Sequence, residues 1–207
     1  MNDFALTNPE NPDLCDFSKS QWYTPPELAE RIVRWALWPL NGTRDQIRAL
    51  EPSCGRGSLV RALIAADCEV TGIDLAPQNI EHCREEYPGA YICANFLKIT
   101  GFDVRHHLAV LNPPFEEGQT EAHVLHALKF APIVVCHCPL TTLAGKDRRE
   151  GLWSKAYLKR LVIHSSRPKY SGSRTGGMTD MCTIYVVRRF EEPRSVVAAT
   201  GLDVEWW

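Results

Sequence analysis

The sequence has no apolar run that approaches the length needed to cross a bilayer, and its first residues lack the regions of a secretory signal. We therefore expect a cytoplasmic protein without membrane contact. An excess of charge of one sign is also missing, because 23 Lys and Arg residues stand against 25 Asp and Glu residues, a net charge of −2. Whole-molecule attraction to phosphate is thus weak, and any nucleic-acid contact must depend on local basic patches.

A metal-binding cysteine pattern is missing as well, although the chain has 8 cysteines. The closest pair is Cys136 and Cys138, and no C-x-x-C pair is present to complete a tetrahedral site. Cys68, Cys93 and Cys182, like that pair, lie in or beside apolar stretches, where cysteine behaves as a small hydrophobic residue. We expect no bound metal and a reducing compartment.

What the sequence does contain is a regular alternation of short apolar runs and helical patterns. The apolar runs that predict buried strands are 47–53, 68–75, 89–95, 106–112, 131–138, 160–166 and 182–190. The segments with helical spacing are 25–38, 58–66, 77–87, 121–130 and 151–160. Thr24 is placed to cap the first helix, with Pro25 and Pro26 in its first turn. This alternation predicts a mostly parallel sheet with helices on both faces.

The last two predicted strands are joined by residues 165–181, which are rich in Gly and Ser and have no helical period. A parallel return normally needs a crossover helix, so this link favours an antiparallel last strand in a seven-stranded sheet. Residues 1–20 show no sustained period and predict a flexible arm, while 21–207 suffice for one domain. Nothing between Phe115 and residue 207 is long enough for a separate target-recognition domain, so we expect none.

Two candidate ligand-binding motifs follow the first two predicted strands. Gly55 and Gly57, in the motif Glu51–Gly57, allow a ligand to approach the backbone closely, and the helix that follows offers free N–H groups. Asp74 ends the second strand, where an acidic residue can bind ribose hydroxyl groups. Each has a simpler explanation: a tight strand-to-helix turn for the glycines, and a cap of the next helix for Asp74.

A third and more specific motif, Asn112-Pro113-Pro114-Phe115, closes the fourth predicted strand. The two prolines fix the backbone and leave carbonyl groups with no neighbouring N–H donor. Asn112 offers a side-chain acceptor and Phe115 a flat apolar face, so together they can hold an amine attached to an aromatic ring. The simpler alternative is a rigid turn with a phenylalanine in the core.

With these residues and the upstream Tyr23-Thr24-Pro25, the chain resembles class I S-adenosylmethionine-dependent methyltransferases, specifically the phage-like amino-methyltransferases that modify adenine N6 in DNA. The resemblance extends over roughly residues 21–190 and implies a Rossmann-like fold and S-adenosylmethionine as the cofactor. The cofactor-binding residues that it implies are Tyr23, Thr24, Glu51, Ser53, Gly55, Gly57, Asp74, Leu75, Asn95, Phe96 and Asn112. Asn95 departs from the family, in which many members have Asp there.

The resemblance also implies the chemistry of the fourth-strand motif. Asn112 and the Pro113 carbonyl would accept both hydrogens of the target amine and direct its nitrogen at the methyl group, while Phe115 would stack on the base. The transfer would be an in-line displacement in which positioning does most of the work. A base in a duplex would first have to leave the helix.

Basic residues of two later loops are candidate phosphate contacts, with solvated surface charge as the equal alternative. They are Lys146, Arg148, Arg149, Arg167, Lys169 and Arg174. DNA is the predicted partner and RNA the next candidate. A protein glutamine as substrate, or a methyltransferase-like binding module without activity, also remains open.

Overall fold

The structure is a computed structural model and describes residues 23–40, 45–116, 118–168, 179–188 and 203–206. The predicted arm 1–20, Trp207 and most of the loop 165–181 lie outside the described residues. The helices are α1 (Pro26–Leu37), α2 (Ser58–Ala65), α3 (Pro77–Glu86), α4 (Gln119–Ala127) and α5 (Lys146–Glu150). The strands are β1 (Arg48–Glu51), β2 (Glu69–Asp74), β3 (Ala90–Cys93), β4 (Leu108–Leu111), β5 (Ile133–Pro139), β6 (Ala156–Ile163), β7 (Met181–Arg188) and β8 (Asp203–Trp206).

The strands form one sheet in the order β3-β2-β1-β4-β5-β7-β6-β8. The first five strands are parallel, and β7 inserts between β5 and β6 and is antiparallel to both. The predicted Rossmann-like sheet of seven mostly parallel strands, with an antiparallel last strand, is therefore confirmed. The structure adds β8, which pairs in parallel with β6 at the edge of the sheet and was not predicted.

The predicted helix over 151–160 is wrong. Residues 151–155 form turns, β6 begins at Ala156, and the helix of this region is the preceding α5. The apolar residues of a short segment fit the period of a helix or of a strand. Pairing with β7 from Ala156 to Ile163, interrupted by one irregularity between Leu158 and Arg160, makes this segment a strand.

Helices cover both faces of the sheet, as the alternation predicts. One apolar cluster contains the buried residues of α1, α2 and α3, and a second contains those of α4. The clusters lie on opposite sides because successive side chains of a strand point to opposite faces. In β1, for example, Ala49 belongs to the first cluster and Leu50 to the second.

A network of polar and aromatic side chains attaches β8 to the domain. Glu205 accepts hydrogen bonds from Trp35 Nε1 at 2.6 Å and from Arg160 Nη2 at 2.9 Å. The Arg160 guanidinium also lies 4.4 Å from the Trp35 ring centroid and donates to the Trp35 carbonyl. These contacts join the last strand to β6 and α1.

Two histidines, His137 of β5 and His164 after β6, share the hydroxyl of Thr183, and we call them the histidine pair. His137 Nδ1 lies 3.2 Å and His164 Nε2 lies 2.9 Å from Thr183 Oγ1. Burial lowers the pKa of His137 to about 3 and that of His164 to about 4. The pair is therefore neutral in the folded protein at neutral pH.

Among the described residues, no helix has the length and apolarity to span a membrane.

Candidate active site

The sheet brings the three sequence motifs to one edge. β1 is hydrogen-bonded to β2 on one side and to β4 on the other, and all three strands are parallel. Their carboxyl ends carry Glu51, Asp74 and Asn112, so these residues meet at the same edge of the sheet. Ligands of open α/β sheets bind outside this edge.

The glycine motif makes the tight turn that the sequence predicts. Gly55 has φ +51° and Gly57 has φ +80°, values that disfavour any side chain. A Cβ atom at Gly57 would lie 2.5 Å from the ring of Tyr87, and one at Gly55 would lie 3.3 Å from the ring of Tyr23. The loop is therefore closely covered on two sides.

Asp74 holds this loop in place. Its Oδ2 accepts a hydrogen bond from Gly55 N at 2.7 Å, and its Oδ1 accepts from Ala76 N at 2.8 Å and from Asn79 Nδ2 at 3.2 Å. The residue at the N-cap of α3 is Ala76, so Asp74 shapes the turn before the helix rather than capping it. A carboxylate has about four acceptor sites, which leaves capacity for a further donor.

Asn79 is the residue of this site that the sequence reasoning missed. It is 3% exposed and donates to Asp74, and its own Oδ1 accepts from the Tyr23 hydroxyl at 3.5 Å. The sequence signal that could have identified Asn79 is its position in the first turn of α3, five residues after Asp74, which places a polar side chain beside that carboxylate.

Glu51 is a carboxylate buried below the glycine loop. It is 1% exposed and accepts hydrogen bonds from Ser53 N at 3.3 Å and Ser53 Oγ at 3.4 Å. Burial, with the nearby Asp74 carboxylate as the second cause, raises the pKa of Glu51 well above its usual value. A cationic ligand group at this point would reduce the cost of burying this charge.

Asn112 is held from two sides. Its side-chain Nδ2 donates to Thr24 Oγ1 at 2.9 Å, and its backbone carbonyl accepts a hydrogen bond from Ser53 Oγ at 3.3 Å. Its Oδ1 is buried and has no hydrogen-bond partner among the described residues. The predicted capping of α1 by Thr24 is wrong, because the N-cap is Pro25, which has no side-chain cap, and the Thr24 hydroxyl faces Asn112.

The rest of the motif forms a rigid connection to α4. Pro113 is buried, Pro114 is exposed, and Phe115 is half-buried. The Pro114 carbonyl accepts a hydrogen bond from Thr120 Oγ1 of α4 at 3.2 Å. Phe115 is therefore not a core residue, which favours the functional interpretation of the motif over the simple turn.

The third strand contributes less to the site. Asn95 caps a single 3₁₀ turn by accepting from Leu97 N at 3.0 Å, and Phe96 is 3% exposed in the second apolar cluster. A contact of Phe96 with a cofactor adenine, which stays a prediction, would therefore involve its backbone. Leu75 lies half-buried beside Asp74, and its carbonyl accepts from Cys93 Sγ at 3.6 Å.

Three of the predicted phosphate contacts have acidic partners in the structure. Arg148 pairs with Glu121, Arg149 with Glu150 at 3.2 Å, and Arg167 with Asp180 at 3.0 Å. Lys146 is exposed, whereas Lys169 and Arg174 lie outside the described residues. Lys146, Arg148 and Arg149 lie on α5 rather than on a loop.

The cleft between these elements is closed in this conformation. Tyr23, Thr24, Glu51, Gly55 and Asn112 are among the residues around a cavity of only about 30 Å³. Pockets that hold nucleotide-sized ligands have roughly 300–1,000 Å³. The Tyr23 ring, which packs against Gly55, is one of the side chains that close this cleft. A larger cavity of about 700 Å³ lies apart from these residues, between 97–105 and the end of α4.

Comparisons with known proteins agree with this geometry. Residues 50–130 match the family model of a methyltransferase domain, and no curated protein has a sequence that matches the chain. A proposed RNA methyltransferase from Pyrococcus horikoshii has a similar structure, with a TM-score of 0.67 and 14% identity over 90% of this chain and 94% of that one. The 23S rRNA methyltransferase ErmE has a TM-score of 0.60 and 19% identity over 84% and 71%. Magnesium protoporphyrin IX methyltransferase from Synechocystis PCC 6803 with bound S-adenosylmethionine has a TM-score of 0.59 and 16% identity over 79% of each chain.

The residues present fit S-adenosylmethionine. This molecule has a cationic ammonium and sulfonium, which match the buried Glu51 carboxylate, and ribose hydroxyl groups, one of which matches the remaining acceptor site of Asp74. Residues 50–130 thus match a methyltransferase domain within a Rossmann-like class I fold, and the residues of the site fit S-adenosylmethionine as the cofactor.

Proposed function

We propose that this chain transfers a methyl group from S-adenosylmethionine to an exocyclic amine of a nucleic-acid base, N6 of adenine in DNA. The observation that carries the proposal is the buried Oδ1 of Asn112, which has no partner among the described residues. An unsatisfied buried acceptor costs about 1–3 kcal/mol, so such a group normally has a hydrogen-bond partner, which a bound ligand can supply here. A primary amine supplies the missing donor.

The polar and aromatic groups of the motif define the kind of substrate that it can hold. Its Oδ1 would accept one N–H of the amine, the adjoining Pro113 carbonyl would accept the other, and the half-buried Phe115 ring would cover one face of the base. Both acceptors withdraw the nitrogen lone pair from the ring and direct it into the cleft. Two acceptors favour an NH₂ group over a hydroxyl or thiol, which offers only one hydrogen, and the flat face of Phe115 favours an NH₂ group on an aromatic ring.

The glycine motif and Asp74 form the part of the site that would bind the cofactor. S-adenosylmethionine supplies an electrophilic methyl group on a sulfonium, Glu51 would hold its ammonium group, and Asp74 its ribose hydroxyl groups. The nitrogen becomes acidic once it is alkylated, so its proton leaves to water and no strong base is needed. Catalysis then rests on the alignment of the two bound groups, which is worth about 7–11 kcal/mol at best.

The test is methyl transfer from labelled S-adenosylmethionine to DNA, RNA and protein acceptors by the wild type, Asn112→Ala and Asn112→Asp. We expect N6-methyladenine in DNA from the wild type. Asn112→Ala should be inactive because it removes the acceptor, whereas Asn112→Asp keeps an oxygen there and should retain measurable activity. Equal activity of wild type and Asn112→Ala would contradict the proposal.

RNA is the second candidate substrate, because two of the similar structures are described as RNA methyltransferases. Label in RNA alone would select it, and label in protein would move the substrate to a glutamine side chain. Cofactor binding without transfer to any acceptor would identify a binding module.

The exposed Lys146 is the strongest candidate for a phosphate contact among the described residues. The other described candidates form ion pairs with Asp or Glu, and these carboxylates compete with a phosphate. We expect Lys146→Ala to weaken DNA binding. The slope of the logarithm of the binding constant against the logarithm of the salt concentration should become smaller by about 1, the value for one lost phosphate contact.

A further inference from the structure

The hydroxyl of Thr24 joins the chain segment before α1 to the motif after β4. Thr24 is 6% exposed, and its Oγ1 accepts the hydrogen bond of Asn112 Nδ2 at 2.9 Å across a separation of 88 residues. The two ends of the Asn112 amide therefore differ: the nitrogen is paired, and the oxygen is the buried atom without a partner among the described residues.

The support of this hydroxyl is rigid. Pro25 and Pro26 follow Thr24, and a proline restricts the backbone of the residue before it. α1 is anchored by buried residues such as Ala29, Ile32 and Trp35. On the other side, Tyr23 donates to Asn79, which in turn donates to Asp74. The position of Thr24 is thus fixed both by the helix and by the cofactor edge of the site.

The geometry points to Thr24 as the positioning residue of Asn112: its hydroxyl holds the amide so that Oδ1, and not Nδ2, faces the target amine. The inference rests on the proposed function and goes beyond cofactor binding, the role that the sequence motif implies for Thr24. An amide left free to rotate would present a donor to the amine for part of the time, and a donor cannot accept the amine hydrogen.

Two variants separate this role from a general structural one. Thr24→Val has nearly the same shape and lacks the hydroxyl, and Thr24→Ser keeps the hydroxyl. We expect Thr24→Val to lower kcat at least tenfold while the Kd for S-adenosylmethionine stays close to the wild type and the Tm falls by only the few degrees that the loss of one buried hydrogen bond explains. Thr24→Ser should recover most of kcat. An unchanged kcat in Thr24→Val, or a loss confined to cofactor affinity, would overturn the inference.

A second measurement does not depend on activity. The side-chain NH₂ signal of Asn112 in ¹H–¹⁵N spectra can be assigned by its disappearance in Asn112→Asp. We expect it to shift in Thr24→Val and to return towards its wild-type position in Thr24→Ser, and a signal indifferent to Thr24→Val would refute the contact. If the wild type methylates no acceptor, the proposed function fails, and the spectra alone decide whether Thr24 holds the amide.

Discussion

Replacement of Glu51 by glutamine should stabilise the protein without ligand and weaken its binding of S-adenosylmethionine. Glutamine has nearly the same shape and keeps an oxygen that can accept from Ser53 N and Oγ. It removes a charge that is 1% exposed and lies near the Asp74 carboxylate. The buried charge is thus a cost in the free protein that the cationic cofactor would offset.

The sign of the pH dependence follows from the raised pKa of Glu51 in the folded state. A carboxyl group whose pKa is higher in the folded than in the unfolded protein favours folding below its ordinary pKa of about 4.3. That contribution disappears as the pH rises through the folded-state pKa. The stability advantage of Glu51→Gln should therefore be small at pH 4 and grow by up to about 1.4 kcal/mol per pH unit above it.

The assay is thermal or urea unfolding of both proteins between pH 4 and pH 8, with cofactor binding measured by calorimetry at pH 7. Each kcal/mol should raise the Tm by about 2–4 °C in a domain of this size. Loss of a charge-assisted contact of about 1.5–3 kcal/mol should weaken cofactor binding roughly 10- to 100-fold.

The matched control is Glu69→Gln, the same change at an exposed carboxylate at the start of β2. It should leave both measurements unchanged. A stability difference for Glu51→Gln that does not vary with pH, or an unchanged cofactor affinity, would refute the reasoning.

Three further predictions concern the loop, the last strand and the histidine pair. Gly57→Ala should lower the free energy of unfolding by about 2 kcal/mol and abolish cofactor binding, because the methyl group forces a side chain into φ +80° and overlaps a tyrosine ring. Glu205→Ala should lower the free energy of unfolding, measured with urea, by about 1–3 kcal/mol, because it removes the carboxylate that pairs with the half-buried Arg160 guanidinium. The histidine pair, neutral in the fold, should make stability fall as the pH drops from about 6.5 towards 4, by up to about 1.4 kcal/mol per pH unit for each proton bound on unfolding.

The first two of these predictions have a matched control. Gly118 also has a positive φ, of +74°, but an added Cβ would meet nothing within 4 Å, so Gly118→Ala isolates the backbone cost. Glu30→Ala breaks the exposed pair with Arg61 and should cost at most about 1 kcal/mol. A Glu205→Ala protein as stable as Glu30→Ala would count against the structural account. So would a stability that stays flat between pH 7 and pH 4 in Glu51→Gln, the variant that lacks the opposing contribution of Glu51.

The sequence alone determined the alternation of strands and helices and the edge of the sheet where the site lies. This was possible because the periodicity of apolar residues and the ends of strands are local features. Glu51, Asp74 and Asn112 each end a recognisable strand, and parallel order then brings them together. The link without helical spacing predicted the antiparallel last strand for the same reason.

The tertiary structure decided the points at which distant segments meet. The sequence placed Thr24 as a helix cap, and only the folded structure, which brings this residue beside the end of β4, shows that its hydroxyl binds Asn112. Residues 156–160 of the helix predicted over 151–160 instead form part of β6, because β7 offers a hydrogen-bonding partner, and β8 exists through its pairing with β6. The narrow closed cleft and the burial of Glu51 likewise depend on side chains from several elements. Such contacts join residues far apart in the chain, and the spacing within one segment carries no information about them.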